Sequence, residues 1–259
     1  QAHVILNPPY GHTQAPDGCR WATGTVARAA VFAANILEQC GAGARAAFIL
    51  PDVLRSGTRY AKWRQYIAQL ADIELVEPLG RFDAFTDVDV FLLTVIRGAQ
   101  QSTDTRTRGW PSSPSADSAV SDWFVVSVGP VVAYRSPRLG HWKKYLTARG
   151  LGEATVQSAS LPSRRFNGRV VTPPFVVVRR TSRPSLTAAR VRANVVVGPD
   201  DVAVENHLII LEPRDGSSER CDDLVARLHS QETTVLLNER IRCRHLTVSA
   251  LSNLPWSAS

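Results

Sequence analysis

The chain has 259 residues, 44% hydrophobic and 20% charged, enough to bury one good core and a second smaller one and too apolar for wholesale disorder. Its formal net charge is +7; no apolar run reaches the length of a membrane span, and the opening residues lack the basic leader and apolar block of a secretion signal, so a cytoplasmic protein is the expectation. Cys19, Cys40, Cys221 and Cys243 are scattered without a CxxC pair or a histidine at zinc-ligand spacing, which predicts reduced thiols and no metal site.

The sequence opens at Gln1, runs into an apolar stretch and contains no methionine; a further portion upstream is therefore expected. Residues 3–6 predict a buried strand that ends abruptly in the stiff loop Asn7-Pro8-Pro9-Tyr10-Gly11. From Thr25, the positions Val26, Ala29, Ala30, Ala33, Ile36, Leu37 and Cys40 fall at helical spacing, with Thr25 as the expected N-cap and Gly41 beyond the end. Residues 46–50 form a second apolar run closed by Pro51. Tyr60, Trp63, Ile67 and Leu70 mark another helix, 73–76 another strand, 82–87 a loop, and 88–96 a long β-rich run. Strands alternating with helices of this length predict an α/β fold with a partial doubly wound, Rossmann-like sheet, whose ligands lie at the carboxyl ends of the strands.

Residues 99–121 lose periodicity and turn rich in Ser, Thr, Pro and Asp, which reads as a linker or mobile loop. Beyond it, strands are predicted at 123–128, 131–134, 170–178, 194–197 and 207–211, a capped helix at 217–230, and a helix followed by a docking segment over 233–255. A first domain over 1–98 and a smaller mixed, β-rich domain over 122–259 follow. The second half carries six of the seven net positive charges, and from Arg164 to Arg192 eight arginines occur with no acidic residue. Such a stripe is the footprint expected of a polyphosphate partner; a solvated basic face is the alternative.

The loop at 7–10 carries the most chemical information. A residue before proline is excluded from the helical region, so Asn7 and Pro8 follow an enforced extended path that aims their carbonyls, and Gly11 lets the chain turn away. A planar exocyclic amine is a poor nucleophile because its lone pair is delocalised into the ring. The side-chain oxygen of Asn7 and the carbonyl of Pro8, one on each N–H, would localise that lone pair during attack on a methyl sulfonium, while Tyr10 stacks on a base rotated out of the duplex. The scheme needs no strong general base; His12 is the nearest candidate, and a histidine in such a place is more often simply part of the loop.

In these residues the sequence resembles the N6-adenine DNA methyltransferases of restriction-modification systems, in the arrangement where the catalytic motif precedes a C-terminal target-recognition domain. His3 to Tyr10 resemble the catalytic strand and NPPY loop; Ala46 to Pro51, the helix containing Lys62-Trp63-Arg64, and Phe85 leading into 88–96 are similar to later motifs in order and spacing. The resemblance implies catalytic roles for Asn7, Pro8, Pro9 and Tyr10. It implies a target base held between Tyr10 and Phe85, with Phe82 as the less favoured alternative. It also implies S-adenosylmethionine as cofactor, with Asn7 and Pro9 near the methyl group, and Arg164, Arg165, Arg169, Arg179, Arg180 and Arg183 on double-stranded DNA. Residues 207–211 and 244–255 resemble segments of the recognition domain of modification subunits.

The family's glycine-rich donor loop and the acidic residue that holds the donor's ribose do not occur in this sequence, so most donor contacts are expected to lie upstream. The chain alone is then expected to be inactive and to show no donor-dependent thermal stabilisation. A nuclease, a specificity subunit or the N-terminal half are the further partners implied. Two other readings share the residues: an NPPY methyltransferase acting on protein glutamine or RNA guanine, and a DNA-binding scaffold module with a degenerate methyltransferase half.

Overall fold

In the computed structural model, which describes residues 3–83, 85–86, 88–98, 110, 118–152, 155–182, 189–241 and 245–256, the chain divides into two units. One comprises Gln1–Ser112 with Glu239–Cys243, the other Ser113–Asn238 with Arg244–Ser259. Most of the linker expected over 99–121, and Arg183, lie outside the described residues.

The first unit is built on strands β1 (His3–Leu6), β4 (Arg45–Pro51), β5 (Ala71–Arg81) and β6 (Asp89–Arg97), in the order β1-β4-β6-β5. A short hairpin of β2 (His12–Gln14) and β3 (Thr25–Ala27) and helix α1 (Arg28–Gln39) connect β1 to β4; α2 (Asp52–Ser56) and α3 (Ala61–Leu70) connect β4 to β5. β1 and β4 are parallel, joined by the α1 crossover, whereas β6 runs antiparallel to both β4 and β5. Period-2 alternation decides what is buried. Ala46, Phe48 and Leu50 of β4 and Phe91, Leu93 and Val95 of β6 share a core cluster with the alanines of α1, Leu54 of α2, and Trp63 and Ile67 of α3. Fully burying a side chain of the Phe or Leu class contributes roughly 1.5–3 kcal/mol. The intervening positions Ala47, Ile49, Leu92, Thr94 and Ile96 are only half-buried and Ile5 is exposed. Among the described residues of this unit, all three helices thus serve one sheet face, whereas a doubly wound sheet has helices on both.

α1 begins at Arg28 rather than at Thr25. Thr25 is drawn into β3, paired with Gln14, where its hydroxyl accepts from the Gln14 side chain at 3.4 Å, and Ala27 caps the helix without a side-chain bond. The small face Ala29, Ala30, Ala33 and Ala34 is fully or almost fully buried. It lets Trp63 approach closely enough for its indole N–H to donate to the Ala30 carbonyl at 3.0 Å.

The second unit contains α4 (Val120–Trp123), β7 (Phe124–Val128), β8 (His141–Leu146), β9 (Val156–Gln157), β10 (Ser163–Phe166), β11 (Phe175–Arg179), β12 (Ala193–Val197), β13 (Val202–Val204), β14 (Leu208–Pro213), α5 (Ser218–His229), most of α6 (Gln231–Arg240) and α7 (Val248–Ser252). A five-stranded sheet, β7-β14-β11-β12-β9, packs on a three-stranded one, β10-β8-β13. Phe175, Val177, Val196, Leu208 and Ile210 of the larger sheet meet Leu146, Val202 and Val204 of the smaller. Val176 and Val178 point to the opposite face and are buried too, on the sheet where α5 packs against β11 and β12. Burial on both faces explains the unbroken valine run.

Two predicted elements change. Residues 131–134 are not a strand but a turn region with a single bridge from Val131 to Glu205. The strand expected from 170 begins only at Phe175, since Pro173 and Pro174 have no N–H to donate to a ladder. α5 starts as expected, with the Ser217 hydroxyl accepting from the Arg220 N–H at 3.1 Å. The tail docks through Trp256, whose ring lies 5.4 Å from Phe124 and 6.0 Å from Trp123.

Candidate functional site

Asn7, Pro8, Pro9 and Tyr10 follow the carboxyl end of β1, which is paired in parallel with β4 from His3↔Arg45 to Leu6↔Phe48. Asn7 and Pro9 are exposed, Pro8 is buried and Tyr10 is half-buried. Gly11 takes φ +130°, a conformation that side-chain-bearing residues rarely adopt. Its carbonyl accepts from the Arg28 N–H at 2.9 Å, and the neighbouring Ala27 N–H donates to the Tyr60 hydroxyl at 2.8 Å. The loop is therefore anchored between a sheet strand and the start of α1 rather than free.

The Tyr10 hydroxyl donates to Asn7 Oδ1 at 2.9 Å and lies 3.4 Å from the Ile49 carbonyl of β4. Burial pushes the Tyr10 phenol above its ordinary range, so it remains a neutral donor at physiological pH. Among the described residues nothing donates to the Pro8 carbonyl. Asn7 Oδ1 is thus held by a hydroxyl of its own loop, and the carbonyl of the buried Pro8 is without a donor among the described residues.

Of the two phenylalanines in the 82–87 loop, Phe82 packs edge-on to Tyr10 with centroids 5.5 Å apart, whereas Phe85 is 97% exposed. The backbone explains the difference. Asp83 Oδ1 accepts from the Phe85 N–H at 2.7 Å and from the Thr86 N–H, while Asp83 Oδ2 accepts from the Thr86 hydroxyl at 2.8 Å. That turn faces Phe85 outward, and the same bonds, the Thr86 hydroxyl foremost, hold the Asp83 carboxyl below its ordinary range. In this arrangement Phe82, the less favoured candidate in the sequence, is the ring in contact with Tyr10.

The arginine stripe of the second unit is more structural than its charge suggests. Arg164 is 5% exposed, and its guanidinium donates to the Ser136 carbonyl at 2.7 Å and the Ala133 carbonyl at 3.4 Å. Arg169 pairs with Glu212 and donates to the Ser127 hydroxyl; Arg179 and Arg180 donate to the carbonyls of Ala148 and Asn206. Arg165 alone among the described members of the set is exposed without a hydrogen bond or ion pair. Sequence alone could not separate them, because strand alternation along β10 decides which guanidinium turns inward.

No protein-family model matches the chain, and no curated protein matches it in sequence. Among solved structures it is similar to the type IIL restriction-modification enzyme MmeI in complex with DNA, at 10% identity and a TM-score of 0.56, over 97% of this chain and 46% of that one. It also matches the type IIG restriction endonuclease BpuSI, at 13% identity and a TM-score of 0.40, over 98% of this chain and 46% of that one. The HsdS subunit from Thermoanaerobacter tengcongensis matches at 16% identity and a TM-score of 0.36, over 54% and 34%. The chain spans less than half the length of each. At this identity the likeness to MmeI is one of fold.

Proposed function

We propose that this chain is the base-holding and DNA-reading portion of a site-specific DNA methyltransferase that transfers a methyl group from S-adenosylmethionine to the N6 amine of an extruded adenine. One observation carries the reading. Asn7 Oδ1, the Pro8 carbonyl and the Tyr10 ring are gathered at the carboxyl end of a strand, in a chain similar in fold to a restriction-modification enzyme.

The residues present fit the methyl end of the donor, with Asn7 and Pro9 exposed at the end of β1; the bound donor supplies an electrophilic methyl group. Asn7 and Pro8 accept one N–H each from the adenine amine, localising its lone pair as positive charge develops. For this the Tyr10 hydroxyl must release Asn7 Oδ1, which leaves the Tyr10 ring to stack on the base. The amine proton then passes to solvent, since the scheme asks for no strong base.

A DNA-binding scaffold with an idle methyltransferase half is the second reading, and the occupied Asn7 oxygen favours it. Incubating the gene product with tritiated S-adenosylmethionine and duplex DNA, followed by nucleoside analysis, separates the two. Label in N6-methyladenine, lost in Asn7→Ala, supports the enzyme. No label in DNA, or label in protein glutamine or RNA guanine, refutes it.

A further inference from the structure

The edge of the three-stranded sheet in the second unit carries a second concentration of charge and aromatic surface. Residues 129–168 include seven lysines and arginines against a single acid, Glu153. Arg135, Arg138 and Arg165 are exposed, and among the described residues their guanidiniums make no hydrogen bond or ion pair. Elsewhere in this unit Arg169, Arg220 and Arg227 are paired with carboxylates. Unpaired cations gathered on one face repel one another, and an anionic partner relieves that repulsion.

Trp142 sits in the middle of this face. It lies directly across the β8–β10 ladder from Arg165, whose guanidinium is 6.0 Å from the centroid of the indole ring. Trp142 is 68% exposed, while the other five tryptophans are buried or half-buried. Tyr134, 82% exposed, stands on the adjoining turn. Leaving an indole in water forfeits the stabilisation its burial would bring. The depression between Arg138, Trp142, Tyr145, Ser163, Arg164 and Arg165 has a volume of about 150 Å³. That is too small for an ordinary small-molecule site, which takes roughly 300 Å³ or more, so an extended anionic partner fits the surface better than an enclosed ligand.

We infer that this face, with Trp142 and Arg165 at its centre and Arg135 and Arg138 beside them, is the surface by which the second unit holds duplex DNA. The three arginines neutralise backbone phosphates and Trp142 lays its ring against sugars or base edges in a groove. The inference rests on the duplex partner of the proposed function and moves the contact from the arginine stripe as a whole to one edge of one sheet. Arg164 becomes a positioning residue. Its guanidinium fixes the 132–138 turn through the Ala133 and Ser136 carbonyls and lies over the Tyr145 ring at 5.2 Å.

The test is fluorescence anisotropy of the whole chain with a labelled duplex over a range of salt concentrations. In Arg135→Gln/Arg138→Gln/Arg165→Gln, affinity at moderate salt should fall about tenfold or more, and the slope of log K against log salt should shrink by about 2–3, at roughly 0.9 per phosphate contact. Trp142→Ala should weaken binding by about tenfold while leaving the slope in place, and duplex should shield Trp142 from acrylamide quenching in the parent chain. Arg214→Gln, whose guanidinium is held by the Ser121 carbonyl, controls for loss of charge alone. Unchanged affinity and slope in the triple variant, with the parent binding normally, overturn this surface and leave the methyl-transfer reading standing. A marked preference of the parent for single-stranded RNA overturns the duplex assignment. A parent that binds no nucleic acid overturns the surface and its duplex partner together, and the labelling experiment then judges the reaction separately.

Discussion

The Tyr10 hydroxyl donates to the side-chain oxygen of Asn7, three residues back along the chain, at 2.9 Å. The acceptor that the proposed reaction needs is therefore occupied by a group from the same loop. A base amine entering the site exchanges one hydrogen bond for another instead of desolvating a bare oxygen.

Tyr10→Phe removes that bond and keeps the ring against Phe82. A net hydrogen bond contributes about 1 kcal/mol, so thermal stability should change little and methyl transfer should stay within about threefold of the parent. Tyr10→Ala removes the stacking surface, worth about 1–3 kcal/mol per base, and should slow transfer on the order of tenfold to a hundredfold in steady-state labelling. Equal damage from the two substitutions would show that the hydroxyl, rather than the ring, is what the reaction uses.

Phe82 and Phe85 should separate by readout. Phe82 touches Tyr10, so Phe82→Ala should lower the unfolding free energy by about 1 kcal/mol and also weaken transfer. Phe85 is almost wholly solvated, so Phe85→Ala should leave the melting curve unchanged. Whether it alters the fluorescence of 2-aminopurine placed at the target position decides if it meets the extruded base. A stability loss in Phe85→Ala would show that its outward position is not the resting one.

In the first unit β4, β6, α1 and α3 were legible because their buried positions follow a clean period, two in the strands and about 3.6 in the helices, whereas β2, β3 and α2 were not anticipated and β1, expected to be buried, leaves Ile5 86% exposed. The start of α1 was not legible, because Thr25 serves equally as a cap or as a strand residue and the β2–β3 pairing chooses. In the second unit β8 and β10 escaped notice, since HWKKYL and SRRF carry almost no apolar alternation and are held by their neighbours. The same blindness merged Arg164 and Arg165: adjacent in sequence, they face opposite sides of β10. The Asn-Pro-Pro-Tyr loop could be read because proline restricts the backbone locally, whereas the contact between Tyr10 and Phe82, seventy-two residues apart, comes only from the packing of the sheet.

Asp52 and Arg55 form a buried ion pair in the first unit, 1% and 3% exposed, with Nε and Oδ1 2.6 Å apart. Ser56 donates to the second carboxylate oxygen at 2.8 Å, and Arg55 donates to the Glu239 carbonyl at 2.7 Å. Asp52→Ala strands a buried guanidinium and should cost about 3–5 kcal/mol in chemical denaturation, while Asp52→Ala/Arg55→Met should recover most of the loss because no uncompensated charge remains. A double variant no more stable than the single would show that the Glu239 contact, not the charge pairing, dominates.

Cys221 gives the clearest dependence on pH. It is fully buried in α5, and burial, followed by the nearby Asp222 and Asp215 carboxylates, pushes its thiol up from an ordinary 9.0 to about 12. The folded state thus favours the neutral thiol. The stabilisation is complete below the unfolded value, and it declines as pH rises from about 9 toward 12, where the unfolded chain ionises and the folded one does not. Between pH 8 and pH 10 the parent should lose roughly 1.4 kcal/mol through this group. Cys221→Ala, less stable than the parent at pH 8 by the cost of a small cavity, should lack that part of the alkaline decline. Urea unfolding of both at the two pH values checks it: parallel losses in parent and variant would show that the alkaline sensitivity arises elsewhere, for instance from Tyr145, whose phenol is likewise raised by burial.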